Sequence, residues 1–184
     1  MTTIDRRSLL AAPLALALAG AAYAQDDKAN TVILTTKNGK VVIKLRPDLA
    51  PKHVERIKTL VKRKFYDGLV FHRVIKGFMA QTGDPTGTGS GGSDLPDLPA
   101  EFSKAPFKRG SLGMARAQSP NSANSQFFIC LAEASFLNGQ YTLFGEVTSG
   151  MEVVDLIKKG SETADGQVDD PDKIVTMRMA SDAQ

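Results

Sequence analysis

No strand–helix–strand alternation runs through this chain: short β-rich runs follow one another between turn signals, and only two stretches carry a helical period. Such a chain lacks crossover helices to cover a parallel sheet, so its strands must pair antiparallel and curl over a core. The opening is the clearest case. Thr31 to Thr36 and Lys40 to Leu45 are β-rich runs flanking Lys37-Asn38-Gly39, and Asn-Gly is the strongest short hairpin signal. Pro51 then starts an amphipathic helix with Val54, Ile57, Leu60, Val61 and Phe65 on one face. Lys52, Glu55, Arg56, Lys58 and Lys62 form its charged face. Leu69 to Ile75, Phe78 to Gln81, Leu112 to Ala115, Gln126 to Leu131 and Leu143 to Val147 read as further strands. Lys76-Gly77 turns the first of these into the second. A second helix reads over Gly150 to Lys159, with Met151, Val154 and Ile157 on one face and Gly160 placed to stop it. Lys173 to Met179 supplies a closing strand. The pattern predicts one domain, a closed or nearly closed antiparallel β-barrel.

The first 24 residues stand apart from that fold. Arg6-Arg7 precedes an apolar stretch from Leu9 to Ala22, and Ala22-Tyr23-Ala24 has the small-x-small form of a signal-peptidase site. The stretch is short for a membrane span, which needs about 20 apolar residues. Arg6-Arg7-Ser8-Leu9-Leu10 resembles a twin-arginine export signal; a general secretory signal, whose positive region also uses arginine, is the other reading. Cleavage after Ala24 leaves a chain starting at Gln25 in the periplasm, without stable membrane insertion. Residues 25–30 read as a short disordered start, 31–180 as the domain, and 181–184 as a tail.

Several chemistries find no support. The net charge of +3 is scattered, and no block of five or six Lys/Arg exists, so the surface reads as solvated rather than nucleic-acid binding. The single cysteine, Cys130, lies in the apolar run Phe127-Phe128-Ile129-Cys130-Leu131. That setting suits a small core residue, not a thiolate. His53 and His72 have no companion ligands at metal-binding spacing. Gly87-Thr88-Gly89-Ser90-Gly91-Gly92 matches G-x-G-x-x-G, but Ser93-Asp94-Leu95-Pro96-Asp97-Leu98-Pro99 follows it. No helix can begin there to hold a pyrophosphate. The whole stretch from Gly83 to Pro99 lacks periodicity, and so long an irregular segment inside a compact domain is usually functional.

What stands out is Phe71-His72-Arg73-Val74-Ile75-Lys76-Gly77-Phe78-Met79-Ala80-Gln81-Thr82-Gly83-Asp84. On a strand Phe71, Arg73 and Ile75 share a face, which aligns a cation with two large apolar side chains. Two further clusters accompany it: Met114-Ala115-Arg116-Ala117 with Asn124-Ser125-Gln126-Phe127-Phe128-Ile129, and Ser135-Phe136-Leu137-Asn138-Gly139. Together, from about Val32 to Ala180, these stretches closely resemble the cyclophilin family of peptidyl-prolyl cis-trans isomerases. The resemblance implies a mainly β fold, a closed eight-stranded antiparallel β-barrel capped by two α-helices. The Gly83 to Pro99 stretch would border the active groove.

The resemblance also implies roles. An X-Pro bond turns slowly because resonance opposes rotation, with a barrier of roughly 18–20 kcal/mol. As it twists, the proline nitrogen gains a lone pair that the fixed charge of Arg73 would stabilise. Gln81 would hold Arg73 or the substrate backbone, and Phe128 completes the catalytic set. Phe78, Met79, Phe128 and Leu137 would seat the proline ring, with Phe136 as an apolar wall beside it. Gln126 and the backbone of Arg116, with Ala115 and Ala117 beside it, would bind the substrate main chain, and Tyr141 would offer a polar tip. No cofactor and no metal is implied. Partners would be proline-containing unfolded or flexible polypeptides met by a monomer, with folding in the cell envelope as the purpose. Phe136 stands where many members carry tryptophan and Tyr141 where many carry histidine. Without the indole N–H, cyclosporin binding would be weak. Lys76 replaces a common proline and Arg116 a common asparagine. Two other readings stay open: a non-catalytic peptide-binding chaperone on the same fold, and a barrel carrying a small apolar ligand.

Overall fold

The computed structural model describes residues 28–182; the export signal expected at 1–24 and its expected cleavage after Ala24 lie outside the described residues. Eight antiparallel strands form one sheet: β1 Thr31–Thr36, β2 Gly39–Leu45, β3 Arg73–Ile75, β4 Met79–Thr82, β5 Ser111–Met114, β6 Phe127–Cys130, β7 Leu143–Ser149 and β8 Thr176–Met179. Their order across the sheet is β3-β4-β6-β5-β7-β2-β1-β8. Register shifts in β2 at Val42/Ile43 and in β5 at Leu112/Gly113, both against β7, let it bend.

The sheet curls into a half-barrel that is open, not closed as expected. Its end strands β3 and β8 share no ladder. The chain between Gly166 and Ile174 lies along that seam and bonds irregularly to residues 68–74. Gly68 and Phe71 donate to the carbonyls of Ile174 and Asp172, and Val74 donates to Gly166. Asp170 adopts a left-handed φ of 48° beside Pro171, which has no N–H. That pair interrupts a regular ladder at the point where closure would need one.

Alternation sorts the side chains between two apolar clusters. Inward residues such as Val74, Ala80, Ile129, Leu112 and Phe127 join Val32, Leu34, Ile43 and Phe144 in the main core. Outward residues of the same strands, Met79, Phe128 and Cys130, meet Phe107, Ala134, Leu137 and Leu143 in a second cluster. That outer cluster is the floor of the site described below.

Helix α1, Pro51–Lys62, packs against β7 and β8 with Val54, Ile57, Leu60 and Val61 buried. Its free N-terminal amides find a partner far along the chain: the Glu101 carboxylate accepts from the N–H groups of Lys52 and His53 at 3.2 and 3.1 Å. One charge of the expected solvated face is misplaced by the sequence reading. Arg56 is buried and donates to the carbonyls of Pro96 and Asn124 at 2.6 and 3.2 Å, pinning the long loop onto the helix.

Helix α2, Met151–Asp155, is shorter than the pattern suggested and ends before Gly160. Gly160 is needed for a different reason. A Cβ there would stand 1.8 Å from the carbonyl oxygen of Gly166, so two backbones cross where the seam meets the site.

Candidate active site

The pairing register builds the site directly. Arg73 on β3 sits opposite Gln81 on β4, Gln81 opposite Phe128 on β6, and Phe128 opposite Gly113 on β5. Cross-strand partners share a face, so these four residues form one row across the outer surface of the sheet. Glycine is required in that row. A Cβ on Gly113 would come within 2.3 Å of the Phe128 ring and 2.8 Å of the Phe107 ring.

One expected alignment fails. Phe71 does not share the face of Arg73 and Ile75; it is fully buried in the main core. The strand proper begins only at Arg73, because Phe71 and His72 bond to Asp172 and Val168 across the irregular seam. The alternation therefore resets just before the cation.

Ten of the twelve singled-out residues line a groove of about 740 Å³: Arg73, Phe78, Met79, Gln81, Ala115, Arg116, Phe128, Phe136, Leu137 and Tyr141. The other two, Ala117 and Gln126, line an adjoining hollow of about 620 Å³. The two share Gln81, Gly89, Ala115 and Arg116, so they are one continuous depression. Its apolar seat has Phe128 and Met79 as floor. One wall is Phe78 against Phe136, ring centroids 5.2 Å apart, and Phe136 is largely exposed into the groove. The opposite wall is Tyr141, edge-on to Phe128 at 5.8 Å, with the Arg116 guanidinium 4.6 Å over its ring. Arg116 also donates to the carbonyls of Ala117, Gln118 and Gln140, which ties the wall to the neighbouring loop.

The polar edge is a relay of amides. Arg73 Nη1 donates to Gln81 Oε1 at 3.3 Å, Gln81 Nε2 donates to Gln126 Oε1 at 2.9 Å, and Gln126 Nε2 donates to the carbonyls of Gly89 and Gly91. The glycine-rich loop thus braces the cation through two glutamines. No helix begins at Gly87–Gly92; the glycines serve a tight loop around Asp84 instead. Burial alone would raise the Asp84 carboxyl, but the Thr86 N–H and hydroxyl and the Gly91 and Gly89 amides outweigh it and hold it at about 2. A folded pKa depressed below the unfolded value near 3.9 contributes stability above that value and loses it as pH falls toward 2. Acid titration should therefore cost about 2 kcal/mol through this group between pH 4 and 2. Asp84→Asn should flatten that part of the pH–stability curve, measured by urea unfolding at each pH.

His72, Thr88, Gly89, Gln140, Ala164, Asp165 and Gln167 also line the groove and were not singled out. Asp165 is the most consequential. Its carbonyl accepts from Arg73 Nε at 2.9 Å, and its carboxylate accepts from Nη2 at 2.9 and 3.0 Å. The hydrogen bond and charge of Arg73 lower the Asp165 carboxyl below its ordinary value. No sequence signal marks it, since it lies 92 positions from Arg73 in a polar stretch that reads as ordinary loop. Burial pushes the Cys130 thiol up to about 12, so it is no nucleophile at neutral pH.

A family model described as cyclophilin type peptidyl-prolyl cis-trans isomerase/CLD matches residues 31–179. This chain belongs to the cyclophilins. A relative from Brucella suis, described as "probable peptidyl-prolyl cis-trans isomerase", is 55% identical over 97% of this chain and 98% of its own. Among solved structures, the cyclophilin AquaCyp293 from Hirschia baltica superposes with a TM-score of 0.76 at 29% identity, covering 85% of this chain and 76% of that one. A cyclophilin type peptidyl-prolyl cis-trans isomerase from Cryptosporidium parvum, crystallised in the presence of the dipeptide Ala-Pro, gives 0.74 at 30% identity. That match covers 81% of this chain and 98% of the other. The chain is thus an isomerase of the cyclophilin class, and its described residues carry eight antiparallel strands with the helices Pro51–Lys62 and Met151–Asp155.

Proposed function

We propose that this cyclophilin turns X-Pro bonds in unfolded or flexible polypeptides in the periplasm, with Arg73 as the electrophilic group. The observation that carries the reading is the row Arg73–Gln81–Phe128: a permanently charged fork beside an apolar seat wide enough for a proline ring. The proline settles over Phe128 and Met79 between Phe78, Phe136 and Leu137. Gln126, Arg116, Ala115 and Ala117 meet the flanking main chain, so neighbouring side chains are read loosely. As the amide twists and conjugation is lost, a guanidinium N–H meets the new lone pair on the proline nitrogen. The twisted state gains this contact and the planar one does not, which is what acceleration requires. No bond is broken and no proton leaves the substrate.

Export by the segment 1–24, a monomeric state, and cyclosporin binding weakened at Phe136 belong to the same proposal. Its test is an isomerisation assay with a proline-containing peptide, alongside N-terminal sequencing of the protein recovered from the periplasm. Expected are turnover above the uncatalysed rate and a chain beginning at Gln25. Peptide binding without turnover would make the protein a chaperone on this fold, and recovery from the cytoplasm alone would remove the envelope role.

A further inference from the structure

Arg73 meets two different parts of Asp165, and they do different things. Nε is held by the main-chain carbonyl at 2.9 Å, a contact that any residue at this position would make. Nη2 is taken by both carboxylate oxygens at 2.9 and 3.0 Å, a contact only an acid makes with full charge. Orientation and neutralisation are therefore separable.

The turn that presents Asp165 is held by its backbone. Gly160 donates to Val74, Val74 to Gly166, and Gly166 to Ser161, at 2.7–2.9 Å. A Cβ on Gly166 would lie 2.5 Å from Ile75 Cγ1, so the turn sits tightly against β3. The Asp165 side chain is 78% exposed, whereas the Arg73 side chain is 32% exposed. Exposed ion pairs are weak and readily replaced. Yet this one lies on the group whose field has to act on a developing lone pair, and an opposite charge beside it subtracts from that field.

We propose that the Asp165 carboxylate is an internal competitor for Arg73, which restrains turnover and discriminates against substrates with an acidic residue next to the proline. The proposal rests on Arg73 being the electrophile. A substrate carboxylate near the proline would compete for the guanidinium with Asp165, whose two oxygens already take Nη2. A neutral peptide needs less, but works against a partly cancelled charge.

The left-handed φ of 51° at Asp165 dictates which variants are informative. Asparagine and glycine both tolerate that backbone, whereas alanine would add strain. Asp165→Asn keeps the shape and removes the charge; Asp165→Gly removes the side chain. Both retain the main-chain carbonyl that holds Nε. Full-length protein, its Asp165→Asn and Asp165→Gly variants, Arg73→Ala and the Arg73→Ala/Asp165→Asn double variant are assayed on Ala-Ala-Pro-Phe and Ala-Glu-Pro-Phe peptides.

Both Asp165 variants should raise kcat/KM on the neutral peptide about two- to five-fold. The gain should be larger on the acidic peptide and should shrink toward one as salt rises from about 0.01 to 1 M. In the Arg73→Ala background Asp165→Asn should give no gain, because the effect passes through the guanidinium. A fall in kcat/KM in both Asp165 variants overturns the proposal by making the carboxylate a needed support for Arg73. Unchanged kinetics on both peptides overturn it by making the pair a solvated contact. Full activity in Arg73→Ala alone would instead overturn the assignment of Arg73 beneath it.

Discussion

Arg73→Ala should lower kcat/KM about 10²–10³-fold while leaving the fold and peptide binding largely in place. The side chain supplies the one fixed charge in the row Arg73–Gln81–Phe128, and Gln81 holds it at 3.3 Å in line with the apolar floor. Removing a preorganised donor from a site of this kind costs about 2.7–4 kcal/mol of transition-state stabilisation, which gives the stated range. On the proposed function, ground-state affinity would come mainly from the Phe128, Met79 and Phe136 seat and the main-chain contacts, which the substitution does not touch. Arg73→Lys should recover only part of the loss, since an ammonium lacks the planar fork that engages Gln81 and Asp165 at once. Isomerisation kinetics and peptide titration on the same preparations check both halves. Near wild-type turnover in Arg73→Ala would remove the cation from the mechanism.

Phe127→Ala should destabilise the domain by about 3–5 kcal/mol, a large share of the roughly 5–15 kcal/mol that such a fold has. Phe127 is fully buried, edge-on to Tyr66 at 5.5 Å and to Phe144 at 6.0 Å. Truncation opens a cavity between two large rings that the sheet cannot close by small shifts. Tyr66 adds to the cost. Its hydroxyl donates to the Ser125 carbonyl at 3.0 Å, so the ring cannot simply rotate into the gap. A fall in Tm of about 6–20 °C follows from that loss for a domain of this size, read by thermal or urea unfolding. Its neighbour Phe128 points to the opposite face and lines the groove. Phe128→Ala should instead appear chiefly in catalysis. Equal effects of the two substitutions on stability would contradict the two-faced arrangement of β6.

The same strand shows how far the sequence could be read. Phe127-Phe128-Ile129-Cys130 is continuously apolar, as a strand buried on both faces must be. Its position was legible, but nothing in its letters says which face closes the core and which opens to a peptide. The opening hairpin was found from Asn38-Gly39, yet the chain turns through Lys37-Asn38 and pairs Gly39 with Thr36 at a φ of 140°. Gly39 is used because the Val153 side chain stands 3.0 Å from where its Cβ would be. Turn chemistry is local, so the hairpin could be located; the close approach that leaves no room for a Cβ at position 39 comes from a helix more than a hundred residues away.

Sequence alone located the strands, the first helix and the antiparallel class, and singled out twelve residues that line the groove, because strand periodicity, turn residues and the long motifs around Arg73 and Gln126 are written in neighbouring letters. Only the tertiary structure decided that the sheet stays open at the β3–β8 seam, that Phe71 faces the core, that Arg56 is buried under the long loop, and that Asp165 lies on Arg73. Each of these depends on groups brought together across long stretches of chain by backbone hydrogen bonds and close contacts. Local propensity carries no information about such meetings, and the packed fold alone selects them.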